Sequence, residues 1–160
     1  MELMSKGLLM SSSWVATSTG SNLCLGVGSG TVYSADVFTP LAQYACPDLS
    51  WSVKWNWNIT DAANGYYTAT DAATGMYCLD VEGQGTANGS AFGVFSCNSA
   101  TNQQVKIVAV KGGYNIKPVH ALSSDMCIDV NSASSDIGTL VQLWECNGTP
   151  AQVFNFVIYN

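Results

Sequence analysis

Six cysteines divide this chain into three matching pairs, and that spacing restricts the possible folds more tightly than any other feature. They stand at 24 and 46, 78 and 97, and 127 and 146, separations of 22, 19 and 19 residues. Each pair belongs to the same short text, which runs on past the second cysteine. From Cys127 it reads C-I-D-V, then V-Q-L-W-E-C at Val141 to Cys146, then A-Q-V-F-N-F at Ala151 to Phe156. From Cys78 it reads C-L-D-V, then G-V-F-S-C, then N-Q-Q-V-K-I. A worn version begins C-L-G-V at Cys24, passes L-A-Q-Y-A-C at Leu41 to Cys46, and ends V-K-W-N-W at Val53 to Trp57. A unit that recurs at a fixed period of about 50 residues implies an array of that unit, so single residues are best interpreted by their place in it.

Three such units fit one domain. A chain of 160 residues can bury roughly two thirds of its unfolded surface around a single core. Residues 1–13 read as a leader, with Ser11 to Ser13 as a flexible linker, and residues 14–160 as one domain with repeats at 14–64, 65–112 and 113–160. Evenly paired cysteines argue for three local disulfides and an oxidising, extracellular setting. Of the connectivities open to six cysteines the repeat selects Cys24 with Cys46, Cys78 with Cys97 and Cys127 with Cys146; the alternative is six buried free thiols. The N-terminal M-E-L-M-S-K-G-L-L-M has an acid, a lysine and too short an apolar run for a secretory signal. Either an export signal lies elsewhere, or the chain leaves the cell by an unusual route, or the thiols stay reduced.

Composition removes several function classes. Only 10% of residues are charged, the net charge is −6 and the five basic residues are all lysine. Such a chain cannot lay a cationic track along phosphates, which excludes nucleic acid as a partner. No run approaches the roughly 20 apolar residues of a membrane span, so no membrane insertion is expected. With no C-x-x-C pair and a single histidine, neither a metal nor another cofactor is expected.

Short apolar or β-branched clusters alternate with turn-forming residues throughout, as in Y-Y-T-A-T before D-A-A-T-G and C-L-D-V before E-G-Q-G. Helical periodicity never runs beyond two turns. The expected class is all-β, with about four short strands per repeat, and three such units suggest a β-trefoil with pseudo-threefold symmetry; a propeller would need at least four blades. Leu25, Val27, Leu79, Val81, Ile128 and Val130 alternate at period two and are expected in the core.

The combination of C-[LI]-D-V, a downstream Q-L-W-x-C and a terminal Q-x-[WF] resembles the ricin B-type lectin repeat across residues 14–160. The resemblance implies a β-trefoil that binds galactose-type or other sugars in one shallow pocket per repeat, either as a free lectin or as a module attached to a glycosidase. The residue types suit that chemistry. A sugar has one apolar C–H face and a rim of hydroxyls, so its pocket needs an aromatic plate and planar acceptors.

Carried over residue by residue, repeat three supplies Asp129 as acceptor, Trp144 as plate and Gln152 as the glutamine that holds the aspartate, with Gln142 on the same strand face as the plate. Ala151 stands where the family has asparagine, and Asn147 is the nearest substitute. Repeat two supplies Asp80, Asn102 and Gln103 with Phe95 as plate, while Gly93 replaces the glutamine before it. Repeat one keeps Tyr44 but has Gly26 in place of the aspartate and Val53 in place of the glutamine, so it is expected to be structural, with Trp55 to Trp57 in the core.

Blander roles compete with these. Asp80 and Asp129 would also serve as turn caps, Trp144 as core packing, and His120 as a surface or packed histidine. Asn58, Asn88 and Asn147 begin glycosylation triplets, and a glycan on Asn147 would crowd the repeat-three pocket. The leading expectation is a non-catalytic lectin that binds glycans or polysaccharide through repeats two and three. The alternatives are the targeting module of a larger secreted glycosidase, whose catalytic domain lies elsewhere, and a trefoil that contacts proteins, such as a protease inhibitor.

Overall fold

A computed structural model describes residues 12–27, 37–47 and 52–158. The expected leader up to residue 11 lies outside them. Repeat one contributes β1 (Ser13–Thr17), β2 (Leu23–Gly26), the two-residue β3 (Thr39–Pro40), β4 (Ala42–Ala45) and β5 (Lys54–Asp61). Repeat two contributes β6 (Tyr66–Asp71), β7 (Tyr77–Val81), β8 (Phe92–Ser96) and β9 (Val105–Val110). Repeat three contributes β10 (Gly113–Pro118), β11 (Met126–Val130), β12 (Val141–Glu145) and β13 (Phe154–Val157). The only helical elements among the described residues are short 3-10 turns, as the absence of sustained helical periodicity predicts.

Antiparallel pairing closes a ring of six strands: β1 with β5, β5 with β6, β6 with β9, β9 with β10, β10 with β13, and β13 back to β1. Closure leaves the ring without a free edge. The remaining long strands form one hairpin per repeat: β2 with β4, β7 with β8, and β11 with β12. This is the β-trefoil expected from three units of four strands.

One hydrophobic cluster draws on all three repeats, with Val15, Leu25, Trp55, Leu79, Ile107, Ile116, Ile128 and Phe154 at 0–1% exposure. The W-N-W of β5 belongs to it. Trp57 meets Phe156 edge to face at 5.2 Å between ring centroids, and its indole N–H donates to Ser13 Oγ at 3.1 Å. Such a ring pair adds about 0.5–1.5 kcal/mol beyond its buried area.

All three disulfides form in the pairing the repeat selects, Cys24–Cys46, Cys78–Cys97 and Cys127–Cys146. Each ties the first strand of a hairpin to the residue at or just beyond the end of its second strand. Closing a loop of 19 residues restricts the unfolded chain by about 3 kcal/mol in the chain-entropy picture.

The hairpins also interlock in a cycle. The segment leading into β4 pairs with β8, through Thr39 opposite Val94 and Pro40 opposite Gly93. The corresponding loop of repeat two lies on β12, where Gly89 N–H donates to Leu143 O and Leu143 N–H to Ser90 O, both at 2.8 Å. The loop of repeat three returns to β4, with Gly138 N–H on Gln43 O at 2.8 Å and Gln43 N–H on Thr139 O at 3.1 Å. Each repeat therefore rests a loop on the second hairpin strand of the next. Among the described residues no helix is long and apolar enough to cross a membrane.

Candidate functional site

In repeat two, β7 carries Asp80 between the core residues Leu79 and Val81, and the carboxylate is 4% exposed. Burial of an acid demands donors, and the 3-10 turn Thr101–Gln103 supplies them. Gln103 Nε2 and Asn102 Nδ2 both donate to Asp80 Oδ2, at 2.9 and 3.2 Å. Gln103 is itself fixed, since Nε2 also donates to Ser96 O at 3.0 Å and Oε1 accepts from Asn98 N–H at 2.8 Å. No side chain or backbone donor among the described residues reaches Asp80 Oδ1. Asp80 and Phe95 line one cavity of ≈500 Å³ together with Phe38, Glu82 and Asn102. Burial pushes the Asp80 carboxyl above its ordinary value; the Gln103 and Asn102 hydrogen bonds oppose the shift, Glu82 adds to it, and His120 weakly counters it.

Asn102 differs from the role its residue type suggests. Its NH2 group is spent on Asp80 Oδ2 and on Val81 O at 3.0 Å, so it has little left to donate to a ligand. Its Oδ1 is buried and lacks a hydrogen-bond partner. Because both contacts of the NH2 are to oxygens, the amide orientation follows from the network.

Repeat three builds the same plan with other parts. Asp129 is 5% exposed on β11, and Gln152 Nε2, from the 3-10 turn Pro150–Gln152, donates to Asp129 Oδ2 at 3.0 Å. Gln142 pairs with Asp129 across the hairpin and donates to Oδ1 at 3.2 Å. Gln152 is held as Gln103 is, with Nε2 on Glu145 O and Oε1 accepting from Asn147 N–H, both at 2.8 Å. Trp144 is 38% exposed, so its ring faces outward rather than into the core. Asp129, Gln142, Trp144, Asn147 and Ala151 line a cavity of ≈310 Å³ with Asn131, Ser132, Ala133 and Thr149. Asn147 reaches the wall, but its Oδ1 accepts from Thr149 N–H and Oγ1, so only its NH2 is left to replace the missing asparagine. Neither aspartate caps a turn: both are held by side-chain amides.

In repeat one, Gly26 faces Ala42 across the β2–β4 hairpin, so the position that holds Asp80 and Asp129 in the other repeats carries no side chain. The buried polar group here is Gln43, at 0% exposure, where the other repeats have Val94 and Leu143. Its Oε1 accepts from Thr17 and Thr19 hydroxyls at 2.9 and 3.0 Å, and its Nε2 donates to Ser134 O and Asp136 O at 2.7 and 2.9 Å. Ser134 follows directly on the Asn131–Ala133 wall of the repeat-three cavity.

Sequence reasoning missed Gln43 and Phe38. A glutamine at an inward position of an otherwise apolar strand is the signal for the first. For the second it is the alignment of V-F-T-P-L-A-Q-Y-A-C (37–46) with I-G-T-L-V-Q-L-W-E-C (137–146), in which Phe38 falls on Gly138. His120 is half-buried, with Nε2 2.7 Å from Gly85 O, and is a packed histidine rather than a surface one.

Comparison with known proteins gives a consistent result. The family model described as ricin-type beta-trefoil lectin domain-like matches residues 9–94 and 50–144. No curated protein sequence matches. Among solved structures, the designed threefold-symmetric protein ThreeFoil is similar with a TM-score of 0.78 at 22% identity, over 92% of this chain and 99% of that one. The exo-beta-1,3-galactanase 1,3Gal43A from Clostridium thermocellum gives 0.75 at 24% identity, over 92% of this chain but only 30% of the enzyme. The Macrolepiota procera ricin B-like lectin, solved with lactose, gives 0.70 at 16% identity, over 92% and 94% of the two chains.

Proposed function

The chain belongs to the ricin-type β-trefoil lectin domain-like family, and on that premise we propose that it is a non-catalytic carbohydrate-binding domain with working pockets in repeats two and three. The reading rests on one arrangement built twice: a buried aspartate held by a glutamine amide, sharing a cavity with a partly exposed aromatic ring. The carboxylate orients sugar hydroxyls and the ring takes the C–H face. Galactose-type glycans are the first ligands to test, since the Macrolepiota procera lectin of the same fold was solved with lactose. Repeat one, with Gly26 at the aspartate position, is structural.

An open pocket holds one sugar weakly, so useful strength comes from engaging both sites on one glycan surface, where avidity adds roughly 10²–10⁴. Such a role belongs outside the cell, where three disulfides persist. A second reading is a targeting module, because the matched part of the galactanase is 30% of that enzyme. A glycan array followed by calorimetric titration separates these readings from a protein-binding trefoil. Retention of galactose-type or related glycans, competed by free sugar, is expected; no retained glycan across a broad array would overturn the lectin reading.

A further inference from the structure

The repeat-two pocket contains a side chain that the repeat pattern does not supply. Gly89 bonds to β12 of repeat three next to Trp144, and Gly138 to β4 of repeat one next to Tyr44; both have φ +89°. Ser90 meets Leu143, and Thr139 meets Gln43, one residue further on. Thr39 meets Val94 in the same way, so the residue of repeat one that matches the two glycines is Phe38, and the ring in line with it is Phe95.

Gly93 makes room for that ring. A Cβ at Gly93 would lie 2.6 Å from Phe38 Cζ and 2.1 Å from Thr39 O, so no side chain fits there. Gly93 pairs with Asp80 as Gln142 pairs with Asp129. The tip of the Phe38 ring thus takes side-chain space at Gly93 that Gln142 fills in repeat three, and it lines the same cavity as Asp80. Two consequences follow. Asp80 Oδ1 has no protein donor among the described residues and is left to a ligand hydroxyl, and the cavity has a second ring and ≈500 Å³ against ≈310 Å³.

We infer that Phe38, contributed by repeat one, contacts ligand in the repeat-two pocket, where it and Phe95 form a two-ring platform beside Asp80 that takes two linked sugar residues, whereas the repeat-three pocket takes one. This rests on the carbohydrate reading above. A single ring covers the C–H face of one pyranose, and a second residue gains contact only where a second plate exists.

The test is amide-resolved NMR titration, following Val94 and Ser96 for repeat two and Leu143 and Glu145 for repeat three. The probes are methyl glycosides of galactose, glucose, N-acetylglucosamine and xylose and the matching β-linked disaccharides. The wild type should prefer disaccharide over monosaccharide roughly two- to tenfold at repeat two and not at repeat three. Phe38→Gly, which restores the residue of the other repeats, should abolish that preference and leave repeat three unchanged; Phe38→Leu, which keeps apolar volume without a ring, should lose most of it. An unchanged preference in a folded Phe38→Gly protein, or a wild type whose repeat three responds while repeat two shows no preference, would overturn the inference. Silence at both pockets would instead sink the carbohydrate reading itself.

Discussion

The side-chain amide of Gln43 in repeat one donates to the carbonyl of Ser134 in repeat three, 2.7 Å away and 91 positions along the chain. A second bond to Asp136 O completes a clamp on the loop whose preceding residues line the repeat-three cavity. The repeat that has lost its own aspartate thus holds the wall of another repeat's pocket.

Gln43→Leu tests that clamp. Leucine matches Leu143 in the equivalent position, but it strips partners from two carbonyls and two threonine hydroxyls. Thr17 is buried while Thr19 and Ser134 are half-buried and Asp136 is exposed; an orphaned buried group costs about 1–3 kcal/mol, so chemical denaturation should show a loss of that order. Binding at repeat three should weaken while repeat two keeps its affinity, read by the same resolved titration.

Asp80→Asn is the cleanest change in repeat two. The new amide oxygen can still accept from Gln103 and Asn102, while the Oδ1 acceptor becomes a donor. Binding at repeat two should fall more than about tenfold, equal to ~1.4 kcal/mol, with the melting temperature held or raised at pH 7. A large loss of stability would mean that the carboxylate is structural.

Acid should act on repeat two above the ordinary aspartate range. Burial raises the folded-state pKa of Asp80 above 3.8, so the folded chain binds this proton more tightly than the unfolded chain. This group's contribution to stability therefore falls as pH rises from about 3.8 through the raised pKa, and returns on acidification. Ligand binding has the opposite sense, because protonation turns Oδ1, the oxygen left for a ligand hydroxyl, from an acceptor into a donor. Affinity at repeat two should decline at a pH above 3.8 as acid is added, and the pH dependence should vanish in Asp80→Asn.

Trp144→Ala addresses the plate of repeat three. The ring is 38% exposed, so its loss should cost only about 1 kcal/mol of stability, yet repeat-three binding should fall more than tenfold. If calorimetry showed binding unchanged, the ring would be packing and not a plate.

Replacing Cys127 and Cys146 together by alanine removes a cross-link over 19 residues. Denaturation should show about 3 kcal/mol lost, and repeat-three affinity should drop because Trp144 and Glu145 sit just before Cys146.

The period of the cysteines, the alternation of C-[LI]-D-V and the recurring Q-x-[WF] made the trefoil, the disulfide pairing and the Asp–Gln pairs legible in the sequence, because each is set within one repeat. Phe38 and Gln43 were not legible in the same way. Both act on a neighbouring repeat, and what they touch depends on how the hairpins interlock. Asn102 was placed by the pattern but not its role, since the direction of its NH2 is decided by Val81 O and Asp80 together.

The interlocked hairpins also bear on how such a chain can change over generations. A lobe that lacks the aspartate still forms part of the wall next door, so it is not free to drift: if the pockets bind sugar as proposed, a substitution at Phe38 or Gln43 is felt as altered preference one third of a turn away. Retuning either pocket therefore begins in the lobe that lacks the aspartate.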